Sequence, residues 1–187
     1  MKYNEIIGQL SDFPKIIVTG PQRSGTTIGG RMIANDLEYQ YIDEEVHGSN
    51  TNTNKVRLLL KDAKNVVIQC PILASKAHWI ASWDQNNIAI VYMNRNVDDI
   101  QKSQKRINWD WDEAEKHLLE RVIQLEDIPI ELDYNMSIST LKYQLWNEYQ
   151  ESKVKNSFDL EYESMAKHPL WLVKEKRENF TARQTTL

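Results

Sequence analysis

The sequence is poor in cysteine, in net positive charge and in long apolar runs. Cys70 is the single cysteine among 187 residues, which excludes an internal disulfide and predicts a reducing compartment. The formal net charge of −4 argues against a broad nucleic-acid-binding surface, so any basic patch is expected to be local. No run approaches the ~20 apolar residues of a membrane helix, and the N-terminal residues lack an apolar signal core. These absences predict a cytoplasmic protein that binds neither nucleic acid nor membrane.

What the sequence does contain is the composition of a globular domain. Apolar residues make up 41% of the chain and charged residues 27%, which are ordinary values for a folded protein. A chain of 187 residues is long enough to bury a hydrophobic core, and no linker or repeat divides it. We therefore expect one domain over residues 1–187.

Short apolar runs alternate with stretches of helical periodicity. Buried parallel strands are predicted at 15–19, 66–69 and 88–93, with two further candidates at Tyr39–Ile42 and Phe158–Glu161. Helices are predicted over 26–37, around 56–60, over about 112–126 and around 141–149. This order predicts a three-layer α/β/α fold with a central, mainly parallel sheet of about five strands. Ligands of such sheets bind beyond the carboxyl ends of the strands.

A glycine-rich loop follows the first predicted strand and reads Gly20-Pro21-Gln22-Arg23-Ser24-Gly25-Thr26-Thr27. Two glycines separated by four residues and followed by two threonines are typical of a P-loop, whose backbone N–H groups bind phosphate at a helix N-terminus. In ATP and GTP enzymes a lysine follows the second glycine, but here that position is Thr26 and the basic residue is Arg23. The loop is therefore expected to hold one phosphate group beside an arginine.

Three segments resemble the sulfotransferases that use 3′-phosphoadenosine-5′-phosphosulfate (PAPS). Residues 23–27 are similar to the family's 5′-phosphosulfate loop. The strand at 88–93 leads into Arg95, with Ser103 eight positions later, and this spacing is similar to the family's 3′-phosphate motif. Val97 stands where the family usually has proline. A weaker likeness lies at 158–169, so the resemblance touches three places in the family's order.

The resemblance implies a transferase that moves a sulfuryl group from PAPS, without a metal, to a hydroxyl or amine of a small-molecule or glycan acceptor. It implies that Gln22 to Thr27 hold the 5′-phosphosulfate, while Arg95 and Ser103 hold the 3′-phosphate. Glu45-Val46-His47 is similar to a run in heparan-type carbohydrate sulfotransferases. That likeness implies Glu45 as the general base, with Glu44 as the alternative, and His47 as a substrate contact. Arg23 is the implied cation at the leaving oxygens.

Two other functions remain open from the residues. The first is an ATP-dependent small-molecule kinase on a P-loop scaffold, and the second is a nucleotide-binding module without turnover. Two observations argue against the kinase. Thr26 occupies the lysine position, and no aspartate stands at the end of the 66–69 strand or of the 88–93 strand. Such an aspartate is expected where Mg²⁺ needs support.

Overall fold

Helices and strands alternate along the residues that the computed structural model describes, which are 1–44, 54–71, 73, 86–106 and 156–173. The predicted helices over 112–126 and around 141–149 lie outside these residues. The elements in chain order are α1 (Tyr3–Leu10), β1 (Lys15–Thr19), α2 (Thr26–Leu37), β2 (Gln40–Ile42), α3 (Asn54–Asp62), β3 (Val66–Gln69), β4 (Ile88–Asn94), α4 (Val97–Lys105), β5 (Ser157–Glu161) and a short 3-10 helix (Tyr162–Met165).

The five strands form one sheet in the order β2-β3-β1-β4-β5, and every neighbouring pair is parallel. β1 is central, and its Ile17 lies opposite Ile68 of β3 and Ile90 of β4. Because all strands point the same way, the loops that leave their carboxyl ends meet at one edge of the sheet. The predicted α/β class and the predicted parallel sheet are confirmed, including the two further candidate strands, which are β2 and β5.

Both faces of the sheet are buried. On one face, strand side chains pack with α1 and α2 in a core that includes Ile16, Val18, Met32 and Ile33, all fully buried. The side chains of Ile17 and its cross-strand partners point to the opposite face, because successive residues of a strand face opposite sides of the sheet. They too are at most 2% exposed. Apolar strands buried on both faces are what a parallel sheet requires, since helices must cover each side.

Helix α2 lies close against the sheet because two adjacent residues of the helix are glycines without a side chain. A Cβ at Gly29 would lie 2.7 Å from the sulfur of Met93, and one at Gly30 would lie 2.9 Å from the Tyr41 ring. The helix ends at Glu38, which adopts a left-handed conformation (φ 56°, ψ 36°) and turns the chain toward β2. The N-terminus of α2 is thereby fixed at the carboxyl end of β1.

Helix α1 is absent from the predicted elements, although Tyr3, Ile6 and Leu10 recur at helical spacing and are buried. Its first turn is held by Glu5, whose carboxylate accepts the Lys2 backbone N–H at 2.9 Å. None of the helices in the described part of the chain has the length and apolar character needed to span a bilayer.

A hydrogen-bond network joins α1, α2 and the residues that follow the 3-10 helix. The Tyr3 hydroxyl donates to Asp36 Oδ2 at 2.9 Å, and His168 Nε2 lies 3.0 Å from Asp36 Oδ1. His168 Nδ1 accepts the Leu170 backbone N–H at 3.2 Å, so the neutral imidazole carries its proton on Nε2 and donates it to Asp36. The network therefore anchors residues 168–170 to the first two helices.

We expect the Asp36 carboxylate to make stability depend on pH. Burial opposes its ionisation, but hydrogen bonds from His168, Asn35 and Tyr3 outweigh burial and hold the pKa of Asp36 below its usual value. A carboxyl whose pKa is lower in the folded state stabilises the fold fully above its unfolded pKa of about 3.9, and this contribution is lost as the pH falls through the folded pKa.

Asp36→Asn is therefore expected to flatten part of the rise in unfolding free energy between about pH 3 and pH 5. Urea denaturation across that range measures the slope. Asp12→Asn serves as the matched control because Asp12 is exposed and lies outside the network. An unchanged slope in Asp36→Asn would contradict the assignment.

Candidate functional site

The loop between β1 and α2 folds into a tight turn that opens onto the helix N-terminus. Three of its residues have positive φ angles, Gly20 at 144°, Arg23 at 73° and Gly25 at 98°. The Ser24 backbone N–H donates to the Pro21 carbonyl at 3.0 Å, and the first helical bond runs from Gly29 N–H to the Gly25 carbonyl at 2.9 Å. The N–H groups of the first turn of α2 have no intrahelical acceptor, so they are available to an anion.

Two buried polar atoms inside the loop have no hydrogen-bond partner among the residues that the structure describes. Ser24 is 0% exposed, and its hydroxyl makes no hydrogen bond to any described residue. The side-chain oxygen of Gln22 is likewise buried without a partner in the described part of the chain. Because an unsatisfied buried polar group costs about 1–3 kcal/mol, such groups are normally completed by a ligand or water. Their position indicates that the loop is built to receive a ligand.

Thr26, at the position of the P-loop lysine, belongs to a buried contact between α2 and β3. Its hydroxyl accepts a hydrogen bond from Gln69 Nε2 at 3.1 Å, and Gln69 Oε1 accepts the Glu44 backbone N–H at 3.3 Å. Thr27, the next residue, is exposed and faces a cavity beside the loop. Both threonines line this cavity, but Thr26 is buried and bonded to Gln69, whereas Thr27 is exposed.

The structure brings Arg95 and Ser103 to the loop, where both contact Arg23. Arg23 Nε donates to Ser103 Oγ at 3.1 Å, and Arg95 Nη1 donates to the Arg23 carbonyl at 2.8 Å. Arg95 leaves the carboxyl end of β4, and Ser103 lies in the second turn of α4. Both residues thus lie beside the loop, although Ser103 is only 6% exposed and does not line the cavity.

The cavity beside the loop has a volume of about 510 Å³ and a strongly positive wall. Three arginines line it, and its described lining contains no aspartate or glutamate, although the whole chain carries a net charge of −4. This local charge favours an anionic ligand. The lining residues are Arg23, Gly25, Thr26, Thr27, Ile28, Arg31, Arg95, Tyr162, Leu170 and Val173.

Arg31 extends the positive wall along α2, one turn after Thr27. Its guanidinium lies 3.7 Å from Asp43 Oδ2 and 5.6 Å from the centre of the Tyr41 ring. The Tyr41 hydroxyl donates to the same Asp43 oxygen at 3.1 Å. Burial and the neighbouring Asp43 carboxylate raise the pKa of Tyr41, so this hydroxyl stays protonated and remains a donor. Asp43 is thereby held at the carboxyl end of β2, next to the cavity residue Arg31.

Glu45, the predicted general base, and His47, the predicted substrate contact, lie outside the described residues. Glu44 is described, and its backbone N–H is the group that contacts Gln69. Among the residues that the structure describes, no three His, Cys, Asp or Glu side chains are grouped closely enough to hold a metal ion.

Two polar residues of the cavity wall were not predicted from the sequence, Arg31 and Tyr162. Arg31 had a usable signal, because it follows Thr27 by four positions and so shares its face of the helix. Tyr162 follows β5 directly, which places it at the sheet edge where the loops meet. Its approach to the loop depends on the neighbouring strands β4 and β5, and sequence spacing alone does not show it.

Comparison with known proteins shows no family for this chain. No family model matches the sequence, and no curated protein matches it. The solved structures that resemble the chain include shikimate kinase from Acinetobacter baumannii in complex with shikimate, at 17% identity and a TM-score of 0.41, covering 80% of this chain and 99% of that one. Another is the YorR protein from Bacillus subtilis in complex with phosphorylated GDP, at 15% identity and a TM-score of 0.46, covering 88% and 98%.

These findings correct the prediction of a PAPS-dependent sulfotransferase. No sulfotransferase family model matches, and the two similar structures named above are a kinase and a complex with phosphorylated GDP. The physical reason for the error is that Arg23 to Thr27 are typical of a phosphate-binding turn, and such a turn is selective for a phosphate and not for the group attached to it. Arg95 and Ser103 kept the family's spacing, yet in this fold both bind Arg23.

Proposed function

We propose that this chain is a P-loop phosphotransferase, an ATP-dependent kinase of a small molecule, with the nucleotide phosphates on the loop from Gly20 to Gly25. The observation that carries the proposal is the buried, unpartnered Ser24 hydroxyl within that loop, beside a cavity lined by three arginines. A ligand with several negative charges fits this arrangement, because the loop receives one phosphate and the arginines neutralise the others.

The arginines also answer the main objection to a kinase, the missing lysine. Thr26 carries no charge at that position, but Arg23 and Arg95 both line the cavity at the mouth of the loop. A guanidinium stays protonated at all relevant pH values and offers two parallel donors to one phosphate, which an ammonium does not. In this proposal Arg23 and Arg95 supply the charge that the lysine supplies elsewhere.

Phosphoryl transfer asks the protein mainly for positioning and for stabilisation of charge. The bond between the γ-phosphorus and the β–γ bridging oxygen breaks, and a bond to the acceptor oxygen forms. The bridging oxygen leaves on ADP, with its negative charge stabilised by the loop N–H groups and the arginines. The acceptor hydroxyl loses its proton to a carboxylate, and Asp43 beside Arg31 is our candidate for that base. Mg²⁺ reaches the site as part of the ATP substrate.

Calorimetric titration with four ligands tests the donor. We expect ATP with Mg²⁺ and ADP to bind roughly ten- to a hundredfold more tightly than AMP, because each added phosphate gains charge-assisted contacts. 3′,5′-Adenosine bisphosphate is the matched control, since it has the same number of phosphates as ADP in another arrangement. Binding of the bisphosphate as tight as that of ADP would contradict the proposal, and so would equal affinity for ATP and AMP.

Turnover is a separate measurement. A screen of hydroxyl-bearing small molecules with γ-labelled ATP is expected to yield a labelled product from at least one acceptor. If the protein binds ATP tightly but transfers phosphate neither to any acceptor nor to water, the proposed kinase activity is wrong and the chain is a nucleotide-binding module.

A further inference from the structure

Tyr162 occupies a position that the proposed function does not yet explain. It is the first residue after β5, and its ring lies directly against the phosphate loop, since a Cβ at Gly25 would fall 2.5 Å from two of its ring carbons. The ring also packs edge-on against Trp171, with centroids 4.7 Å apart and an interplanar angle of 68°. Tyr162 is therefore fixed from two sides, by the loop and by the residues that follow the 3-10 helix.

The Arg95 guanidinium stacks on the face of the Tyr162 ring. The Arg95 guanidinium carbon lies 4.2 Å from the ring centroid, well within the distance for a cation–π interaction. Nη1 of the same guanidinium is used by the Arg23 carbonyl, while Nε is buried and has no hydrogen-bond partner among the described residues. An unsatisfied guanidinium donor at the wall of an arginine-lined cavity indicates that an anionic ligand accepts its hydrogen bond.

We propose that Tyr162 is a positioning residue of the phosphate site, which holds the Arg95 guanidinium beside the loop. The ring fixes the plane of the guanidinium, and the Arg23 carbonyl fixes its rotation. The remaining donors are therefore already oriented toward the phosphate position on the loop before a ligand binds. Preorganisation of this kind raises affinity because less side-chain freedom is lost on binding. The inference rests on the proposed nucleotide site.

A double-mutant cycle separates positioning through Arg95 from a general structural role. Tyr162→Leu is expected to weaken ADP binding roughly 5- to 30-fold, in line with a partly desolvated cation–π contact. Tyr162→Phe keeps the ring face and is expected to stay within about twofold of wild type. In an Arg95→Gln background, Tyr162→Leu is expected to add less than about twofold, because the group it positions is already gone.

Each outcome of the cycle decides the proposal. If the two losses multiply in the double variant, or if Tyr162→Phe binds as weakly as Tyr162→Leu, Tyr162 does not act through Arg95. Tyr39→Leu is the control for loss of a partly buried tyrosine elsewhere in the core, and it is expected to leave ADP affinity unchanged.

Folding and the proposed function are checked separately. Circular dichroism shows whether each variant folds. If Tyr162→Leu does not fold, Tyr162→Met replaces it in the cycle, because the flexible methionine side chain adapts to an irregular gap and has no aromatic face. A wild-type chain that binds neither ADP nor ATP would overturn the proposed function and this inference with it. Wild-type binding without coupling would overturn the inference alone.

Discussion

Gly25→Ala is expected to abolish measurable nucleotide binding and to lower the free energy of unfolding by about 2–4 kcal/mol. Two effects add at this position. Gly25 has φ 98° and ψ 19°, which a residue with a Cβ adopts only under strain. The new methyl group would also lie 2.5 Å from the Tyr162 ring, so either the loop or the ring must move. In the proposed function the loop N–H groups bind phosphate, and they can do so only in their present arrangement. We therefore expect affinity to fall more steeply than stability.

Thermal denaturation and ADP titration measure the two effects. Gly8→Ala is the matched control, since Gly8 lies in helix α1 and a Cβ there would meet nothing within 4 Å. That control is expected to stabilise the protein by roughly 0.5–1 kcal/mol through helix propensity, with ADP affinity unchanged. A Gly25→Ala protein with wild-type stability and affinity would show that the loop tolerates a side chain, contrary to its geometry here.

Arg95→Ala is expected to weaken ADP and ATP binding by roughly ten- to a hundredfold, the usual effect of losing a charge-assisted hydrogen bond of about 1.5–3 kcal/mol. Its guanidinium lines the cavity and also contacts the loop carbonyl of Arg23. The loss is expected to shrink as salt concentration rises, because part of it is electrostatic attraction across the mouth of the cavity. Arg95→Lys keeps the charge but not the planar fork, so it is expected to recover affinity only in part.

Calorimetry at two ionic strengths measures these differences, and Arg57→Ala provides the control. Arg57 is an exposed arginine on α3 that does not line the cavity. Its removal changes the net charge of the protein by the same amount, so it reports any effect of overall charge. If Arg57→Ala and Arg95→Ala weaken binding equally, Arg95 has no specific contact with the ligand. An Arg95→Ala protein that binds ADP as wild type would exclude Arg95 from the phosphate site.

The resemblance that failed shows where a short motif stops being informative. Arg23 to Thr27 predict a phosphate-binding turn because the left-handed glycine and the small hydroxyl residues are needed for that backbone shape. Any phosphate-binding enzyme with this fold faces the same requirement. The chemistry beyond the phosphate depends on side chains from other elements, and the five-residue motif contains none of those.

The sequence by itself determined the strands, their parallel arrangement and the place of the phosphate loop. Each buried strand is a short apolar run, and a parallel sheet needs such runs because both of its faces are covered. The loop has its own local signature in the spacing of Gly20 and Gly25. Only the tertiary structure placed Arg95 on the Tyr162 ring, because the two residues come from elements that are far apart in sequence. Periodicity reports which face of an element is buried, whereas the meeting of side chains from different elements depends on strand order and on how closely the helix packs.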